Sequence, residues 1–369
     1  GLGLVQKTLY GAARIRRSAA ADEGNYSSQY AYLLESFEID AYVVDDRPKS
    51  LWGEQTMPAL YVVRGRCPTS GAVVGVGFGL GSETTQAYRG MLLCAALPKS
   101  LVARLYGLDP NMLDWEMSGL PPSVVSDRGP GGTDKLIRDS GERPQMKTIV
   151  PSYQGQSKPF VESANPRSVK IDGAPSFVQS ALTVPEMMKR EILEAVRMNK
   201  STSMTNRLTN AEVYEFRMRG WYATPQNLWK YRTEQLRSSA HFLSVEQAVR
   251  RFAEPCLLDV DQRGVRFRTH WYSSAAFRES GVTERLRHGG DLKVSAYYVP
   301  MALLIIWVEV GGKLLELEPL RTIRVGMEEF DLTVSELEFF ADERRRLDSD
   351  TRVGAEAAGQ KARSDFQAA

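Results

Sequence analysis

Apolar and polar positions alternate through Phe37-Glu38-Ile39-Asp40, and the stretch Phe37 to Val44 predicts a strand. Ala59 to Arg64 and Ala72 to Leu80 predict two more, with Pro68, Ser70 and Gly71 as the turn between them. The spacing then changes. Ser82, Thr85 three residues on, and apolar Ala87, Met91, Leu92, Ala95 and Ala96 predict a capped amphipathic helix that Pro98 ends. Ser123 to Ser126 predicts a short buried strand entering the glycine-rich run Asp127-Arg128-Gly129-Pro130-Gly131-Gly132. A short helix near Asp134 to Arg138, a strand at Met146 to Val150 and a helix from near Ser157 follow.

Helical periodicity returns at Val184 to Met198, Asn210 to Gly220, Pro225 to Gln235 and Val245 to Phe252. From Leu257 to Leu320 the pattern is again strand-like, with turn signals at Arg263-Gly264 and Gly311-Gly312, and it predicts a small β-barrel. Val334 to Leu347 predicts a charged amphipathic helix, and the Ala, Gly, Asp and Gln of the last twenty residues predict disorder. The domain reading is therefore a linker or lead-in over 1–30 and an α/β core over 31–183. After it come a basic helical connector over 184–255, a barrel over 256–322 and an acidic tail over 323–369. In the core, three strands, a helix, and then alternating strands and helices make a mixed sheet flanked by helices. That order is the ribonuclease H-like plan, and several three-layer α/β folds share it.

Composition adds less than charge does. No stretch approaches a membrane helix, the longest apolar segment being Met301 to Val310, so a cytoplasmic protein without a membrane partner is expected. Cys67, Cys94 and Cys256 do not stand at zinc-ligand spacing with His241, His270 and His288, and read as packed residues. The net charge is only +2, yet residues 151–290 hold 21 basic against 14 acidic residues and residues 291–369 hold 10 against 15. A basic middle suits a polyanion and an acidic end suits a protein partner.

Three carboxylates stand at positions with a shared logic. Alternation puts Asp40 on the strand face opposite Phe37 and Ile39. Asp127 ends the fourth strand, and Glu162, in Lys158-Pro159-Phe160-Val161-Glu162-Ser163, lies in the first turns of a helix. In a ribonuclease H-like sheet the first and fourth strands are neighbours and the last helix crosses their ends, so the three acids converge. Two Mg²⁺ or Mn²⁺ ions held by such hard oxygen ligands stabilise attacking and leaving oxygens at phosphorus. Taken singly, each acid is equally well a helix cap or a dipole partner.

Phe37-Glu38-Ile39-Asp40, Ser126-Asp127-Arg128-Gly129 and Gly155-Gln156-Ser157 through Ser163 resemble the acidic motifs of DDE transposases in the retroviral integrase superfamily. The resemblance is nearest to the phage Mu, TnsB and TniA types. Gly264-Val265-Arg266-Phe267 and Trp271-Tyr272 are similar to the small barrel of Mu-type transposases. The resemblance implies Asp40, Asp127 and Glu162 as catalytic metal ligands. It also implies cleavage at transposon ends and transfer of the freed 3′-hydroxyl into target DNA by a homo-oligomer in the bacterial nucleoid. An AAA+ ATPase target selector and a nuclease for the second strand are implied partners. A nuclease-only or inactive DNA-binding relative is the alternative. Arg64 and Pro166 depart from the family pattern, and the missing upstream end-reading domains suggest a fragment.

Several other positions carry both a functional and a plainer reading. Asp45 and Asp46 read as solvated loop acids at the Arg47-Pro48 turn. Lys158 and Arg128 beside the acids, and Lys189, Arg190, Arg197 and Lys200 on the basic helices, are candidate DNA contacts. Arg217, Arg219, Lys230 and Arg232 belong to the same basic stretch, where a plainly solvated face is the competing reading. Gly75, Gly77 and Gly79 lie within a strand and favour close packing over nucleotide binding. Trp221, Tyr222 and Trp229 are expected in a core. Leu337, Phe340 and Leu347 fall near one helix face, as a groove-binding helix requires.

Overall fold

The period-two alternation read from Phe37 onward is realised in β1 (Phe37–Val43), where Phe37 and Ile39 are buried on one sheet face and Glu38, Asp40 and Tyr42 point to the other. The computed structural model describes residues 30–51, 56–126, 145–149, 177–284, 292–320 and 330–368, and the chain divides between Glu254 and Pro255 into two compact units. The expected helices near Asp134 and from Ser157, together with Arg128, Asp127, Lys158 and Glu162, lie outside the described residues.

In the first unit β2 (Asp46–Lys49) leaves the main sheet, and β3 (Leu60–Arg66) and β4 (Val73–Leu80) build outward from β1 as antiparallel neighbours. On its other side β1 pairs in parallel with β5 (Ser123–Ser126), which pairs in parallel with β6 (Gln145–Ile149). The five-stranded order is β4-β3-β1-β5-β6, with the acid-bearing strand in the middle.

Helices cover both faces. Helix α1 (Thr85–Ala96) starts one residue after Thr84, whose hydroxyl accepts from the Ala87 N–H at 3.3 Å; the cap read at Ser82 is corrected accordingly. Its backbone lies against the glycines of β4. A Cβ on Gly77 would stand 1.9 Å from the Ala87 carbonyl oxygen, and one on Gly75 would stand 2.4 Å from that of Met91. The glycine row is thus a packing groove for a helix. Pro98 does close α1, and it opens α2 (Lys99–Leu105), a helix the sequence did not reveal. Lys99 is buried and donates to the Cys94 carbonyl at 2.5 Å and the Val74 carbonyl at 2.9 Å, capping the buried C-terminal end of α1.

The opposite face is covered by α3 (Val184–Ser201), which follows β7 (Val178–Thr183). Glu186 accepts from both the backbone N–H and the hydroxyl of Thr183, and the backbone bond holds its carboxyl below the usual range. Near the far end, Asn199 accepts from the Val73 N–H and donates to the Val73 carbonyl, both at 2.8 Å. Its amide thereby serves as a short strand for the edge of β4. Asp46 and Arg47-Pro48 form no turn: β2 pairs in parallel with β7, and only Asp45 sits at an exposed bend.

Helices α4 (Asn210–Met218), α5 (Pro225–Glu234) and α6 (Val245–Phe252) complete the unit, capped by Thr209, Thr224 and Ser244. Met204, Phe216, Leu228 and Tyr231 form a small core between α4 and α5, against which Trp221 packs, while α6 lies against α1. Tyr222 is 82% exposed, contrary to its expected core position.

The second unit is a closed barrel in the order β10-β13-β12-β11-β8-β9, built from β8 (Glu254–Asp261), β9 (Gly264–Phe267), β10 (His270–Ser273), β11 (Leu292–Val299), β12 (Ala302–Val310) and β13 (Lys313–Pro319). The small barrel expected from the alternation is therefore present. Val310 pairs with Lys313 across Gly311-Gly312, both at positive φ as a two-residue hairpin demands. The other hairpin turns at Gln262-Arg263, since Asp261 pairs with Gly264. A short helix α7 (Ala275–Glu279) follows β10. The last helix, α8 (Val334–Ala368), is anchored where Leu337 and Glu336 are buried and Val334 donates to the Pro300 carbonyl. It does not stop at Leu347: the residues expected to be disordered continue it to Ala368.

Candidate functional site

Asp40 is half-buried in the middle of β1, and antiparallel register sets Arg64 of β3 directly opposite it. Arg64 is 1% exposed. Its Nη2 lies 3.2 Å from Glu191 Oε2 on α3, its Nη1 lies 3.4 Å from the Met198 sulfur, and its guanidinium carbon stands 4.6 Å from the centre of the Tyr42 ring. The Tyr42 hydroxyl donates to the same Glu191 oxygen, and burial pushes that hydroxyl well above the ordinary tyrosine range. A buried guanidinium is tolerable here because a carboxylate and a ring face take over from water.

Two residues back along β1, on the same face, Glu38 is fully buried opposite Arg66, with Arg207 as a second nearby cation. Burial pulls both guanidinium groups down to about 10, while the Glu38 charge opposes that fall. Arg66 donates to the Gly71 carbonyl and Arg207 to the Pro68 carbonyl, so the pair also ties down the β3–β4 turn. The sheet face around Asp40 is thus a ladder of alternating charge: Glu38 with Arg66, Asp40 with Arg64, and Glu191 beyond. Sequence reasoning missed Glu38, Glu191, Arg66 and Arg207. The strand parity that selects Asp40 also selects Glu38, but nothing local tells that a helix many residues later supplies Glu191.

β5 runs parallel to β1, with Val124 opposite Phe37 and Val125 opposite Glu38. Asp127 is joined to Ser126, the last residue of β5, and with Glu162 it lies outside the described residues. Among the described residues no three of His, Cys, Asp and Glu gather closely enough to hold a metal ion.

The basic residues of α3 have acidic company. Arg190 lies 3.4 Å from Asp46 and 3.3 Å from Glu191, Arg197 lies 2.6 Å from Glu194, and Lys200 lies 2.5 Å from Asp114. On α4 and α5, Arg219 is 2.5 Å from Glu234 and Arg232 is 2.6 Å from Glu212. Arg219 and Lys230 both lie over the Trp221 ring, at 4.9 and 5.0 Å. Many of the basic side chains in this stretch are therefore paired with acids, most of which belong to the stretch itself, while Asp46 and Asp114 come from outside it. Cys67 and Cys94 are buried and Cys256 is partly so, all three as free thiols.

Among the described residues no helix is long and apolar enough to cross a membrane. No curated protein matches the chain. Residues 34–167, which open just ahead of β1 and take in Asp40, Asp127 and Glu162, match the family model described as the TnsB C-terminal domain, over less than half of the chain, and this supports kinship with TnsB-type transposases.

Proposed function

We propose that the protein is a DNA transposase of the DDE type, cutting at transposon ends and joining the freed 3′-hydroxyl to target DNA on a ribonuclease H-like core. The observation that carries this reading is the place of β1: it is the central strand of β4-β3-β1-β5-β6, bears Asp40, and has beside it a parallel β5 that ends at the residue before Asp127. The match to the TnsB C-terminal domain supports it independently, because it spans all three acids.

Asp40, Asp127 and Glu162 would hold two Mg²⁺ or Mn²⁺ ions. The fit can be judged at Asp40, whose carboxylate is a hard donor on a face where the opposing cation, Arg64, is already engaged by Glu191. When bound, the ions would supply Lewis-acid stabilisation of charge on the attacking and leaving oxygens. The chain's own task is to keep three carboxylates ionised and oriented. Water attacks the phosphodiester, the 3′-oxygen departs with a proton, and that hydroxyl attacks a target phosphodiester with departure of another 3′-oxygen. Basic side chains of α3, and Lys158 and Arg128 near the acids, would contact phosphates. By the same resemblance the active species is a homo-oligomer on DNA, and α8 docks an AAA+ partner.

A strand-transfer assay with pre-cut ends and Mg²⁺ or Mn²⁺ tests the reading. Wild type is expected to join ends to target, and Asp40→Asn, Asp127→Asn and Glu162→Gln each to abolish cutting and joining while duplex binding persists. Joining that survives within tenfold in any one variant removes that residue from the site. Cutting without joining in the wild type would make the protein a nuclease, and binding alone an inactive relative.

A further inference from the structure

Arg64 is a departure from the family pattern that the tertiary structure makes informative, and the inference drawn from it rests on the reading of Asp40 as a metal ligand. Directly opposed residues on one face of an antiparallel pair have Cβ atoms about 4.5–5.5 Å apart. Asp40 and Arg64 are such a pair. The outer nitrogens of the guanidinium are turned to Glu191 and Met198 of α3, and the Tyr42 ring covers its face. The inner nitrogen, Nε, is buried and has no hydrogen-bond acceptor among the described residues. A buried N–H of a charged group left in that state is costly and calls for a partner.

We propose that Arg64 is a positioning residue for Asp40: on metal binding its Nε–H, which is not hydrogen-bonded to Asp40 in the structure, donates to the Asp40 carboxylate oxygen turned away from the ion, fixing the orientation in which the other oxygen binds. Carboxylates that bind metal are commonly held by such an outer hydrogen bond. Arginine suits the task because its planar fork carries separate N–H groups, so that Nη2 serves Glu191 while Nε is left for a second acceptor; a lysine has one point charge and no such geometry. Glu191 has a second role. Arg64 alone would cancel the Asp40 charge and weaken its attraction for a divalent cation, whereas the trio Asp40, Arg64 and Glu191 keeps a net charge of −1. The ladder of alternating charge is then a device for orienting one carboxylate without neutralising it.

The test uses the full chain and Mn²⁺ alone, with binding read from the metal-induced rise in melting temperature and from the loss of the free Mn²⁺ paramagnetic resonance signal. Arg64→Lys is expected to raise the Mn²⁺ midpoint about 10–100-fold. It should also slow strand transfer at limiting Mn²⁺ and recover toward the wild-type rate at saturating Mn²⁺. Arg66→Lys, at the neighbouring rung, is expected to lower the melting temperature without moving the Mn²⁺ midpoint. An unmoved midpoint in Arg64→Lys, or an equal movement in Arg66→Lys, overturns the proposal. Should Arg64→Lys not fold, Glu191→Gln keeps the volume and the Tyr42 acceptor and is expected to raise the midpoint; no change there overturns the proposal as well. Asp40→Asn separates the two levels. If it binds Mn²⁺ as the wild type does, the reading of the site fails, whereas if it loses binding while Arg64→Lys and Glu191→Gln keep theirs, only the role of Arg64 fails.

Discussion

At the residue scale, one amide does the work of a strand. Asn199 satisfies both backbone groups of Val73 at the edge of β4, and the Trp115 indole donates to the same carbonyl at 3.0 Å. Asn199→Ala leaves the Val73 N–H buried without that acceptor, and a loss of about 2 kcal/mol is expected on the usual cost of an unmade buried hydrogen bond. Urea unfolding measures it, and a loss below about 0.5 kcal/mol would show that water replaces the amide. Asn199 sits on the same helix, α3, that brings Glu191 to Arg64, so the interaction that closes the sheet edge also seats the helix bearing the counter-charge. None of this was visible in local sequence, because an Asn near a helix C-terminus is ordinary.

At the element scale, the meeting of β4 with α1 depends on the absence of side chains. Gly77→Ala would force a Cβ into the Ala87 carbonyl, which is backbone and cannot rotate away. We expect a cost of about 3 kcal/mol or more, at the upper end of overpacking effects. Gly90 lies on the helix side of the same interface, but a Cβ there meets only the Gly77 Cα at 3.9 Å. Gly90→Ala is therefore expected to be neutral or to stabilise by up to about 1 kcal/mol through helix propensity. Thermal or urea denaturation of the two variants checks the pair, and equal effects would sink the packing account. The alternating glycines were legible as a strand feature, and their preference for packing over a ligand was legible from spacing; which helix they receive was not.

At the scale of the whole molecule, the basic side chains that stand out along the chain are largely paired in the fold. The basic stretch from α3 to α5 meets Asp46, Asp114, Glu194, Glu212 and Glu234 in space. Phosphate contacts by Lys189, Arg190, Arg197 and Lys200 must then exchange existing partners, which lowers their net contribution without abolishing it. The protein is expected to bind duplexes of unrelated sequence within a few-fold of one another and to weaken steeply between low and physiological salt. Neutralising those four residues together should flatten the slope of log affinity against log salt by up to roughly 0.9 for each phosphate interaction removed. An unchanged slope would mean that α3 does not face DNA, and a duplex preferred a thousandfold would reveal a sequence-reading element.

What local pattern could determine here, it did: period two gave the strands of sheet and barrel, period 3.6 gave α1 and α3 to α6, and parity put Asp40 on the face away from Phe37 and Ile39. These follow from backbone geometry within a few residues, which the chain encodes directly. Elements, or parts of elements, without such periodicity were missed. β2 carries Pro48 and reads as a turn, and becomes a strand only because β7 arrives beside it; α8 has a polar, small-residue end that reads as disordered. The environment of Asp40 belongs wholly to the tertiary structure. Arg64 comes from a neighbouring strand, Glu191 from a helix 127 residues further along, and Tyr42 is aimed at both only once α3 lies across the sheet. Burial makes those charges matter, since water would otherwise screen them, and burial is decided by the packing of distant segments.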